Sequence, residues 1–165
     1  WEGLVAALSA QSGVIWVLED LAAPLYAVAY AMQGTTSGQN VPRGDALLHV
    51  SHALVLEGHC EEGSSEAASI CKIDATAFNK AREAPTLSKA MVAAGKDPAR
   101  ILNIQGGIAL SIRNIEFIGG YTEYPGGCVL LYEPKSRVDF ENVLFSRCSS
   151  GANGGGMVIM PYDIR

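Results

Sequence analysis

The sequence predicts an all-β solenoid of stacked coils, about 28 residues each, and three observations carry that expectation. The first is a gap-free repeat in which Arg100–Gly127 aligns with Cys128–Gly155 and then with Gly156–Arg165. Ile101, Val129 and Met157 fall together, as do Leu102, Leu130 and Val158, and then Ile104, Tyr132 and Met160. Leu110 matches Val138, Ile112 matches Phe140, Asn114 matches Asn142, Ile115 matches Val143 and Phe117 matches Phe145. The pair Gly126-Gly127 falls on Gly154-Gly155. The second observation is a break in alternation, because positions 138 and 140 are apolar and then 143 and 145. A one-residue parity shift turns the chain so that both strands point apolar groups the same way. The third is composition: 48% apolar and 18% charged residues describe an ordered chain rather than a disordered one. A fixed period with apolar residues in register marks units that cannot bury their own hydrophobic face alone.

The elements follow in order. Residues 1–12 place Leu4, Val5 and Leu8 at helical spacing, with Gly13 as a stop, and Val14–Leu18 is an apolar run of strand length. Residues 1–45 thus read as an N-terminal helical cap and first strand, including a loop by composition over 33–45. Residues 46–74 read as a first coil with strands at Ala46–Val50, Ala53–Leu56 and Ser69–Asp74. Residues 75–99 are Ala-rich, interspersed with Lys and Arg and split by Pro85 and Pro98, and read as a helical insertion between coils. Residues 100–165 are the regular repeats. In one copy, Cys128–Tyr132 is a strand, Glu133–Arg137 a turn and Val138–Glu141 a second strand. Asn142 is a sharp corner, Val143–Phe145 a third strand and Ser146–Gly155 a Gly-rich return. Asn tolerates the left-handed conformation that such a corner needs, and Asn114 serves one coil earlier. The Gly pairs allow turns at positive φ. Three strands per coil, stacked like on like, make a parallel β-helix within a single domain.

Composition also bounds partners. The net charge of −5 and 12 scattered basic residues exclude a nucleic-acid partner that needs clustered Lys and Arg. No apolar run reaches the length of a membrane-spanning helix, since Ala22–Met32 is short and contains Pro24. The chain opens at Trp1 instead of Met, which reads as a processed product or a piece of a longer protein. Cys60 and Cys71 flank a polar loop, while Cys128 and Cys148 lie at the edges of Gly-rich turns. Two disulfides would fit a secreted or cell-surface protein, whereas free thiols would equally suit apolar strands; spacing does not fix connectivity.

The segments IRNIEFIGGYTEYPGGCVLLY and VDFENVLFSRCSSGANGGGMVIM resemble the right-handed parallel β-helix proteins of the pectin-lyase-like fold. More narrowly, they are similar to polymorphic outer-membrane protein repeats, with their paired GG-hydrophobic and F-x-x-N-like elements. The second element departs from that pattern, because Ile118-Gly119-Gly120 follows Phe117 and Ser146-Arg147-Cys148 follows Phe145, without the usual Asn. The resemblance covers 100–165 well and 46–74 loosely.

That resemblance implies either a binding scaffold or a polysaccharide-active enzyme, whose lyases hold calcium with acids and whose hydrolases cluster aspartates. The first strand stack shows no such cluster: its candidate outward positions are Ile101, Val129, Leu131, Met157 and Ile159, or Leu102, Leu130, Tyr132 and Val158. The nearest acids, Glu133, Asp139, Glu141 and Asp163, do not recur in one slot; Glu116 shares its slot with Leu144, and Arg113 with Glu141. Strands apolar on both faces are usually covered on both, by the 75–99 insertion, the 21–32 segment or another protein. His49, His52 and His59 with Cys60 and Cys71 lack zinc spacing, and GANGGG precedes a strand instead of opening a helix, so no cofactor or metal site is expected. The expected function is a non-catalytic structural or adhesive binding module, or a scaffold subunit, of a secreted or cell-surface protein. Its partner is a protein or glycan at the strand-stack face or at the open C-terminal end. The alternative is a fragment of a polysaccharide lyase or glycoside hydrolase.

Overall fold

Residues 1–10, 13–29, 46–60, 69–83, 98–105, 107–132 and 137–160 are described by a computed structural model. α1 (Glu2–Ala10) carries Glu2 in its first turn, where an acid complements the helix dipole, and buries Leu4 and Leu8 one turn apart. Gly13, at a φ of 147° that favours glycine, leads into β1 (Val14–Val17), followed by β2 (Leu21–Ala22). Next come β3 (Ala46–Val50), β4 (Leu54–Gly58), β5 (Cys71–Asp74) and α2 (Thr76–Glu83). The repeats supply β6 (Arg100–Ile104), β7 (Ala109–Ile118), β8 (Tyr121–Thr122), β9 (Val129–Tyr132), β10 (Arg137–Ser146), β11 (Ser149–Ser150) and β12 (Met157–Met160). Half of the described residues are strand, the sheets are parallel and none closes into a barrel. The loop expected over 33–45 and the turn around Pro134 lie outside the described residues, as does all but α2 and its flanks in the 75–99 insertion.

The strands stack like on like. One sheet runs β3–β6–β9–β12, a second joins β8 to β11, and a third contains β1, β4, β7, β5 and β2, with β10 added on β7. β7 is long enough to pair β4 along its first half and β5 along its second. From β7 to β10 the offset is the sequence period, with Leu110 opposite Val138 and Phe117 opposite Phe145. Apolar rows therefore run through the stack, such as Leu21, Ile73, Phe117 and Phe145, and Ile15, Leu56, Ile112 and Phe140. Removing these rows from water at about 25 cal/mol per Å² is the main force holding coil on coil.

Three details differ from the sequence reading. Val138–Glu141 and Val143–Phe145 belong to one strand, bent at Asn142, because the parity shift needs only a single left-handed residue. Asn114 and Asn142 take that conformation, at φ 53° and 52°. Between β6 and β9 the register slips by one, so that Leu102 and not Ile101 faces Val129. There, Ile101 N and Leu102 N both donate to Cys128 O, a local bulge that gap-free alignment cannot register. Of each Gly pair, only Gly126 (φ 82°) and Gly154 (φ 72°) are left-handed; Gly127 instead lies where neighbouring backbone leaves no room for a Cβ, and a Cβ at Gly155 would press on Cys148 O at 3.0 Å.

Two disulfides brace the turns. Cys60–Cys71, with Cα atoms 5.2 Å apart, ties the residue two past β4 to the start of β5, where β7 has its one-residue Asn corner. Cys128–Cys148 spans 5.4 Å between Cα atoms and joins the start of β9 to the β10–β11 turn. α2 is seated by buried Phe78 and Asn79. The Asn79 amide donates to Ala99 O (3.0 Å) and Gly119 O (2.8 Å), and its Oδ1 accepts from Ala99 N (2.9 Å).

Candidate functional site

The strand stack expected to present a face, β6–β9–β12, is largely covered. Every residue of β6 is buried, as are Val129, Leu130 and Leu131 of β9. The buried Arg100 guanidinium donates to Gly126 O (3.1 Å), Pro125 O (3.0 Å) and Asn103 Oδ1 (3.0 Å), tying the return before β9 to the start of β6. A side chain at Gly126 would meet Val129 O and Leu130 Cβ, and one at Gly154 would overlap Val158. The Gly-rich returns thus pack closely on the strands they lead into.

The open face lies on the neighbouring sheet. In β1, Ile15 and Val17 point into the core while Val14 and Trp16 point out, and Trp16 is 63% exposed. Parallel register carries the outward row across successive strands: Trp16 faces Glu57, Glu57 faces Arg113 and Arg113 faces Glu141. The row beside it reads Val14, Val55, Ser111 and Asp139. His59 follows β4 and donates its backbone N–H to Val17 O (2.7 Å), which sets its ring 5.5 Å from that of Trp16. His59 Nε2 is 3.3 Å from Glu57 Oε1, and Arg113 Nε is 3.3 Å from Glu141 Oε2. The result is a flat face with an aromatic ring at one end and polar groups of both signs along it, one per strand at about 4.8 Å spacing.

The residues singled out in the sequence build the scaffold under this face. Asn114 and Asn142 are hydrogen-bonded to one another, Asn142 Nδ2 donating to Asn114 Oδ1 at 2.9 Å. Phe117 and Phe145 stack with centroids 5.9 Å apart and an interplanar angle of 16°. Glu116 and Leu144 share a register position, and the Ser146 hydroxyl donates to Glu116. Trp16 and His59 were not singled out as a pair, because β1 and β4 lie in coils that do not keep the 28-residue period.

A second feature is a cleft of about 180 Å³ between α1 and β3, lined by Val5, Leu8, Ser9, Leu48, His49 and Ser51. Burial holds the His49 imidazole below its usual range, partly opposed by its hydrogen bond with Gln105. Among the described residues no carboxylate lines the cleft. His49 lies in β3 and His52 in the turn after it, so the two do not share a strand. Among the described residues no group of three His, Cys, Asp or Glu side chains could hold a metal ion, and no helix is long and apolar enough to cross a membrane.

Comparison with protein-family models, curated proteins and solved structures finds no match.

Proposed function

We propose that the three parallel stacks are the faces of a right-handed parallel β-helix, and that the chain is a non-catalytic binding module of a secreted or cell-surface protein. Right-handedness accords with the near-universal hand of parallel crossovers. Two disulfides suit an oxidising compartment. The pectin-lyase-like resemblance of 100–165 points the same way. The ligand is a glycan lying across β1, β4, β7 and β10, and the observation that carries this is the outward row Trp16, Glu57, Arg113 and Glu141. An exposed indole offers an apolar plate for the C–H face of a sugar ring, and charged groups in fixed register offer hydrogen bonds to its hydroxyls. Glu57, Asp139 and Glu141 outnumber Arg113 and Arg137 on this face and in a chain of net charge −5. Neutral glycans are therefore favoured over uronate-rich ones.

Calorimetry against neutral and acidic oligosaccharides tests the reading. Binding of a neutral oligosaccharide should fall at least roughly tenfold in Trp16→Ala, a loss near 1.4 kcal/mol, with circular dichroism unchanged. Undiminished binding in that variant would sink it. The polysaccharide-enzyme alternative has one favourable feature: Glu57 and Glu141 stand two strand spacings apart, about 10 Å, near the upper limit for an inverting carboxylate pair. Arg113 lies between them and holds Glu141, whose side chain is well exposed, in an ion pair that does not suit a general acid. Release of reducing ends or unsaturated product from any polysaccharide, lost in Glu57→Gln, would establish that alternative.

A further inference from the structure

The cleft between α1 and β3 holds a backbone edge as well as side chains. Among the described residues β3 is the last strand of its sheet and pairs β6 alone. Gln105 N donates to Val50 O across that pairing, in which His49 stands opposite Asn103. Successive residues of a strand turn their N–H and C=O groups to opposite sides, so Leu48 and Val50 bond β6. His49 turns its own N–H and C=O the other way, to the edge that α1 caps. Among the described residues no backbone group bonds that pair. Backbone groups withdrawn from bulk water are almost always bonded, so a free pair inside a cleft calls for an occupant. The cleft encloses about 180 Å³, several times what one water needs, and its walls at Val5, Leu8 and Leu48 are apolar.

We propose that this cleft binds a small planar amide whose C=O and N–H lie side by side on one edge, as in a primary carboxamide or a ring lactam. The His49 N–H donates to the ligand carbonyl and the ligand N–H donates to His49 C=O, the exchange that an opposed strand residue would make. The volume sets the size, since about 150 Å³ holds a benzene ring and drug-sized pockets begin near 300 Å³. A single ring with its amide therefore fits, lying against Val5, Leu8 and Leu48. A trans secondary amide fits less well, because its C=O and N–H point to opposite sides and only one reaches the edge. An extended peptide would need the next outward edge too, that of Leu47, which is 1% exposed. The lining favours a neutral ligand: no described carboxylate faces the cleft, and burial holds His49 towards its neutral form. The site is separate from the face that carries Trp16 and stands whether or not that face binds glycans.

Benzamide and 2-pyridone are the probes, one for each kind of amide. When isotope-labelled protein is titrated and followed by two-dimensional NMR, at least one should shift the His49 amide resonance saturably. Val5 and Ser9 should move with the same midpoint, and the probe that binds more tightly tells carboxamide from lactam. N-methylbenzamide keeps the ring but is a trans amide, and should bind roughly fivefold or more weakly than benzamide, having lost one hydrogen bond. Val5→Phe and Ser9→Phe, at a half-buried and an exposed position of α1, fill the cleft and should each abolish the shift. The two guard against a folding defect in either, and Trp16→Ala should leave the titration unchanged. No saturable shift of His49 with either probe overturns the proposal, as does equal binding of N-methylbenzamide and benzamide. A shift that survives in both filled variants, or is lost in Trp16→Ala, would place the binding elsewhere and overturn it equally.

Discussion

Left-handed backbone recurs at three slots of the repeat, Asn114 and Asn142, Gly119 and Arg147, and Gly126 and Gly154. Arg147 is the anomaly, an ordinary side chain at φ 52° where the coil before it uses glycine at φ 70°. Such a residue bears roughly 1 kcal/mol of backbone strain. Arg147→Gly should therefore stabilise the protein, by less than about 1 kcal/mol once the added freedom of the unfolded chain is included, seen as a higher urea midpoint. Gly119→Ala should do the reverse and cost about 2 kcal/mol, because its Cβ would sit 2.8 Å from Thr76 Cα. At His49 the expected effect is one of pH. Its folded-state pKa lies below the unfolded value, so as pH falls through about 6.5 the unfolded chain takes up a proton that the folded one resists. Stability should be fully present above that pH and decline below it, and His49→Gln should flatten that part of a thermal-melt pH profile. A slope unchanged in the variant would assign the effect elsewhere.

The elements divide into those legible in the sequence and those set by contacts that it does not display. α1, β1 and the strands after 46 announce themselves through spacing and β-branched runs, since local propensity and tertiary burial agree there. The parity shift at Asn142 was legible because a corner of one residue must invert alternation. The slip between β6 and β9 was not, because apolar residues dominate both faces of those strands and a shifted register reads nearly the same. For the same reason the covered face could not be told from the open one. The role of α2 was equally hidden, resting on buried Phe78 and on one polar residue, Asn79. Its replacement by Ala leaves Ala99 N–H and two carbonyls without these partners in a buried site and should cost about 2–3 kcal/mol, measured by chemical denaturation. The disulfides brace other joints. Opening Cys60–Cys71 by paired Cys→Ser substitution should cost about 3 kcal/mol on a loop-closure account, and a loss near zero would mean that the loop base holds itself. Gly120 shows how tightly the second disulfide is fitted, since a Cβ there would lie 2.8 Å from Cys128 Sγ.

At the scale of the molecule, the repeat specifies stacking and the exceptions to it specify surfaces. Where the period holds, from β7 to β10, outward positions vary in charge while inward ones stay apolar. Where it fails, in β1, β2 and β4, Trp16 and His59 come together from 43 positions apart, so sequence periodicity held no trace of the candidate glycan platform. The candidate glycan face depends on one geometric claim, that β7 and β10 run parallel with Ser111 opposite Asp139. Cysteine cross-linking tests it most directly. Ser111→Cys with Asp139→Cys should form a third disulfide under mild oxidation, seen by peptide mapping, whereas Ser111→Cys with Glu141→Cys should not, being displaced by two residues along the strand. Efficient cross-linking of the displaced pair, or no cross-linking of either, would contradict the parallel stack and the glycan face argued from it.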